Sequence, residues 1–144
     1  MKSKRGLLDL IANKALVFSI NRLIEILGIF ILLLGALLLI SLVSYSPEDP
    51  NFIFPDNTEI KNLLGFQGSY VSDIFFQSVG LNAFLISFTF IFTGLNIFLS
   101  KNFFLFIENL FYATLYSSFS SLFLSFYYKD AFTLYINGNG GFVG

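Results

Sequence analysis

The chain has 144 residues, 56% hydrophobic and only 12% charged, with a formal net charge of −1. A soluble domain carries about 25% charged residues, so this chain cannot cover a water-facing surface, and its mean hydropathy of +0.78 places it in a bilayer. The 21 Phe come with no His and no Cys, which excludes disulfides, thiolate catalysis and thiolate metal sites.

In chain order, residues 1–23 form a basic segment holding Lys2, Lys4, Arg5, Lys14 and Arg22. Its "GLLDLIANKALVFSINRL" sets Leu7, Leu8, Ile11, Ala15 and Phe18 along one side, spacing that suits an amphipathic helix at the inner leaflet. The plainer alternative is a basic start that only sets topology. Residues 24–43 follow as a first transmembrane helix, with Glu25 as its one charge. At 1.5 Å per residue it crosses about 30 Å, the thickness of a hydrocarbon core. Its apolar run is too long for a signal peptide, and no small-x-small cleavage site precedes "SYSP".

Residues 44–73 form an acidic loop in which Glu48, Asp49, Asp56, Glu59 and Asp73 face only Lys61. Basic residues mark cytoplasmic flanks, so the N-terminus is expected inside and this loop outside. Pro47, Pro50 and Pro55 keep the chain irregular up to Asp56. "DNTEIKNLLG" then predicts a short helix capped by Asn57 or Thr58 and stopped at Gly65. "GSYVSDIFF" predicts another from Gly68 or Ser69, running unbroken into the second span, with Tyr70, Phe75 and Phe76 near the outer interface.

The second span covers 74–99, diluted by Gln77, Asn82 and Asn96. A cytoplasmic turn at 100–102 carries Lys101, and a third span covers 103–128. Glu108 lies about two turns from Lys101, close enough for its head to snorkel to the headgroups; the alternative is an ion or proton path. Ala113, Ser117, Ser121 and Ser125 recur every four residues as a helix-packing stripe, and Gly28 and Gly35 offer a similar face on the first helix. A polar pore lining is the other reading of the serines. Residues 129–144 form an extracytoplasmic Gly-rich tail whose "GNGGFVG" reads as a flexible turn, lacking the Lys and helix of a phosphate loop. No catalytic, cofactor-binding or metal-ligating constellation stands out.

"SYSPEDPNF" and "NLLGFQGSYVSDIFFQSVG" resemble the N-terminal membrane domain of FtsK/SpoIIIE-type DNA translocases. The resemblance rests on Ser44, Tyr45, Asp49, Pro50, Asn62, Gly65, Gly68, Asp73 and Gly80, with Ser69 where that family usually has Ala. The closing "GGFVG" resembles the family's Gly-Gly-x-x-Gly segment ahead of a fourth span. What this implies is an all-α integral membrane protein: three transmembrane helices of a four-helix anchor domain, with short helices in the extracytoplasmic loop. The chain is then expected to be a fragment or truncated product without the motor, which would hold ATP and Mg. It has no catalytic residue and no cofactor of its own, and does not bind nucleic acid directly. Implied partners are the lipid bilayer, division-site membrane proteins and further copies of the chain, a hexamer through the motor. The implied location is the bacterial inner membrane at the division septum, with a role in cell division and chromosome segregation. An unrelated transporter or channel subunit would instead depend on Glu108, Asn82 or the serine stripe.

Overall fold

In the computed structural model the described residues are 2–50, 59–128 and 138–144, with side chains from residue 10 onward. They form four α-helices, α1 (Lys2–Val43), α2 (Gly65–Val79), α3 (Ala83–Ser100) and α4 (Phe104–Tyr127), with a 3-10 turn, Gly80–Asn82, between α2 and α3. There is no strand among the described residues.

α1 is one uninterrupted helix of 42 residues, about 63 Å long at 1.5 Å per residue. The separate interfacial helix considered for the basic segment therefore does not form. Nothing between Gly6 and Gly28 breaks a helix: the stretch has no Pro or Gly, and its Leu, Ala, Ile and Lys favour continuation. Residues 10–20 are exposed on every side, so α1 extends well past the helices that pack on it.

Those helices meet where glycine lets backbones approach. α1 and α3 run antiparallel. A Cβ on Gly28 would stand 2.7 Å from the Phe98 nitrogen, one on Gly35 2.7 Å from the Ile91 nitrogen, and one on Gly94 2.4 Å from the Leu32 nitrogen. Gly28 and Gly35 thus pack on α3, away from the serines of α4. α4 lies against the other side of α3, and α1 and α4 do not touch among the described residues. The three long helices form a row with α3 in the middle.

The expected unbroken helix from Gly68 into the second span is interrupted. Gly80 takes φ +61° with ψ −139°, a backbone conformation open chiefly to glycine, and this ends α2. α2 then turns across the outer ends of the row. Its first half joins α1 through Ser41, while its last residue, Val79, reaches α4 at Ser121. Its length of about 22 Å matches two interhelical spacings of about 8–10 Å each. At the end of the row that α2 crosses, Leu38, Leu42, Phe76 and Ala83 form the apolar core.

The helix expected over "DNTEIKNLLG" is also absent where that stretch is described: residues 59–61 are irregular, 62–64 turn, and Gly65 opens α2 instead of ending a helix. The proposed caps Asn57 and Thr58 lie outside the described residues. The cause is competition for backbone donors. The Asp49 carboxylate takes the N–H groups of Lys61 and Asn62, and Asn62 Oδ1 takes that of Leu64.

Candidate interaction site at the loop end

The residues that carried the resemblance converge where α1 ends. Ser44 Oγ bonds back to the Ile40 carbonyl (2.7 Å) and accepts the Leu63 N–H (3.1 Å). Asn62, buried, donates from Nδ2 to the Ser41 carbonyl at 2.9 Å. Ser41 Oγ donates to the Gly68 carbonyl at 2.5 Å. Gly68 has no room for a side chain, since a Cβ would stand 2.1 Å from Asn62 Oδ1. The Pro50 carbonyl accepts the Ser69 hydroxyl (3.1 Å). Tyr45 donates its hydroxyl to buried Asp73 (3.1 Å) and lies with its ring centroid 4.8 Å from that of Phe76. Gly65 starts α2 at φ +67°. A clasp of buried polar groups, satisfied by one another, thereby ties the loop to α1 and α2.

Outside this clasp, Lys61 and Glu48 pair on the exposed surface. The hydrogen bond and charge of Lys61 hold the Glu48 carboxyl below its ordinary range, and Glu48 in turn raises the Lys61 ammonium.

A second cluster forms at Gly80. The break frees backbone groups that a membrane environment requires to be satisfied, and the tail supplies partners. The Phe142 and Val143 N–H groups donate to the Gln77 and Ser78 carbonyls (2.7 and 3.0 Å), and the Asn139 carbonyl accepts the Leu81 N–H (3.0 Å). The fit is close: a Cβ on Gly80 would fall 1.9 Å from the Asn139 carbonyl oxygen. "GNGGFVG", read as a flexible turn, is thus a turn seated in a fixed place.

The serine stripe faces this cluster. Ala113, Ser117 and Ser121 are buried and Ser125 is half-buried; Ser121 Oγ lies 2.9 Å from Asn82 Nδ2, and Ser120 donates to Asn82 Oδ1 (2.6 Å). Further along, Thr89 pairs with Tyr116 (2.5 Å) and Asn109 donates to Thr93 (2.8 Å). Asn82 and Ser121 are therefore spent on each other, and Glu108 is exposed. At the opposite end of the row Glu25 joins α1 to α3, pairing with Arg22 and with Lys101 at 3.1 Å.

The sequence reading missed Ser41, hidden in an apolar run, and the Thr89–Tyr116 pair, which straddles two spans. Among the described residues no group of three or more Asp, Glu, His or Cys could hold a metal ion. Among the described residues two segments are long and apolar enough to cross a membrane, Leu10–Val43 and Gly65–Ser100.

Residues 21–144 match the family described as the 4TM region of DNA translocase FtsK/SpoIIIE. The chain is 39% identical to the DNA translocase FtsK of Rickettsia typhi over 54 residues, 38% of this chain and 7% of that protein. To the DNA translocase FtsK of Rickettsia prowazekii it is 31% identical over 74 residues, 49% of this chain and 10% of that protein. The aligned part is thus a tenth or less of either relative's length. No solved structure matches.

Proposed function

This chain belongs to the family of the 4TM region of FtsK/SpoIIIE DNA translocases, and we propose that it is the part that anchors such a motor at the division septum and helps assemble it there. The observation that supports this reading most is the clasp. Eight of the nine residues that carry the resemblance lie in one hydrogen-bonded polar knot at the end of α1, a feature of the described part of the loop that other membrane proteins of division could recognise. In this reading α1, α3 and α4 are three spans of a bacterial inner membrane, and the basic residues ahead of the first span support an N-terminus in the cytoplasm with the clasp outside. Copies of the chain associate with one another, and ATP hydrolysis and DNA pumping belong to a motor domain rather than to these helices.

A fluorescent fusion at the N-terminus tests the proposal. Basic residues near a membrane surface contribute about 1 kcal/mol each toward anionic lipid, which spreads the protein around the whole cell. Enrichment at division sites therefore requires protein contacts, and it should fall when Asn62 or Asp49 is replaced. Uniform membrane fluorescence from the unaltered chain would reject the septal anchor.

A further inference from the structure

α2 is amphipathic in the inverted sense. Its inward side is mostly polar or small, with Gly68, Ser69, Ser72 and Asp73 buried beside Phe76. Its outward side is uncharged and carries large apolar residues: Phe66, Val71 and Ile74 are exposed alongside Gln67 and Ser78, and Leu63 just ahead of the helix is 76% exposed. No charged residue occurs between Lys61 and Asp73, and Asp73 is buried. A helix in contact with water would be arranged the other way round.

Length argues in the same direction. α3 alone has 18 residues, about 27 Å at 1.5 Å per residue, enough to cross most of a hydrocarbon core of about 30 Å. α2 is not needed to complete that crossing, and the Gly80 corner turns it from α1 toward α4. The apolar side of α2 also continues into the exposed apolar flank of α1, with Ser41 and Gln67 the polar side chains lining the junction. The two helices line one groove of about 540 Å³, with Leu34 and Leu37 on one wall and Val71 and Phe75 on the other.

We propose that α2 is an interfacial helix lying in the outer leaflet, with Phe66, Val71 and Ile74 seated among acyl chains at one shallow depth, so that the occupant of this face is the bilayer. An interfacial helix seals the outer end of the row while its buried polar side holds the clasp. The proposal rests on the membrane reading of the chain, and the test separates the two.

The chain has no Trp, so Phe66→Trp, Val71→Trp, Ile74→Trp and, at mid-length of α3, Phe92→Trp each give one probe at an exposed position. Each variant, as the full chain in phosphatidylcholine vesicles, is compared with lipids brominated near the glycerol or near the acyl-chain end. The three α2 probes should be quenched more by the shallow bromines, and to the same extent, while Phe92→Trp is quenched more by the deep ones. A depth gradient from residue 66 to 74 would overturn the proposal in favour of a spanning α2. Quenching by aqueous acrylamide, with none by either lipid, would overturn it in favour of a face open to water or another protein. Loss of deep quenching at Phe92→Trp would overturn the membrane reading itself. If a tryptophan disturbs folding, nitroxide-labelled cysteines at the same positions report depth through collisions with oxygen against a water-soluble nickel chelate.

Discussion

Asp49 closes two backbone groups with one carboxylate, its oxygens each 2.9 Å from the N–H groups of Lys61 and Asn62. Hydrogen bonds to charged groups contribute about 1.5–3 kcal/mol each, more when a buried donor is orphaned. Asp49→Ala should lower stability by about 2–3 kcal/mol in denaturant unfolding from detergent, and Asp49→Asn, which keeps one acceptor, by less. The neighbouring Glu48–Lys61 pair is exposed and screened by solvent, so its signature is pH dependence. Glu48 has a lowered pKa when folded, so its contribution is complete above its ordinary 4.5 and fades as pH falls through the lowered value. Lys61 has a raised one, so its contribution is complete below 10.5 and fades as pH climbs through the raised value. The small melting-temperature advantage over Glu48→Gln should hold between those limits and shrink beyond each. Asp49, Pro50 and Asn62 were marked in the sequence by resemblance. Their bonding was not, because a helix over "DNTEIKNLLG" and a side-chain turn at Asn62 compete for the same backbone donors, and only the position of Asp49 decides between them.

Between elements, close approach is set by glycine on one side of α3 and by serine on the other. The stripe on α4 was legible because period four on a helix puts residues on one side. The partner of Gly28 and Gly35 was not, since glycine spacing states that something comes close without stating what. Gly94 supplies the answer, lying against Gly28 and Leu32. Gly94→Leu should therefore force α1 and α3 apart and lower stability in denaturant unfolding from detergent far more than Gly94→Ala does. On the other side, Ser121→Leu loses a membrane hydrogen bond of about 0.6 kcal/mol and overpacks a filled site at about 1–3 kcal/mol. Ser118→Leu, one turn earlier and exposed, should leave detergent stability within about 0.5 kcal/mol. Equal effects at the two serines would remove the stripe from the packing face. The Gly80 break stayed hidden for a related reason: a lone glycine is tolerated inside a helix, and the tail that packs on its positive-φ backbone is about sixty residues away in sequence.

For the whole molecule, segregation of charge carried more of the fold than local propensity did. Arg22, Glu25 and Lys101 gather at one end of the row, and the acidic clasp and the docked tail gather at the other. Alternating helices between two such ends follow from composition and the basic-residue rule alone. The row of α1, α3 and α4, with α2 laid across it, does not, because helix association in lipid is set by small residues and polar pairs rather than by apolar pattern. The two ends give a topology that fusions can read. A periplasm-active alkaline phosphatase joined after Glu59 or after Gly144 should be active, and one joined after Lys101 inactive, since the clasp and the tail share the end opposite the ion-paired lysine. Activity after Lys101 would mean that α3 does not carry the chain back across the bilayer. A silent fusion at Gly144 beside an active one at Glu59 would mean that α4 does not cross, and the docking of Val143 on Ser78 would then require both to lie on the other side. The contacts of the tail with the corner at Gly80 make that second outcome incompatible with this fold, so the Gly144 fusion is the sharper test of the two.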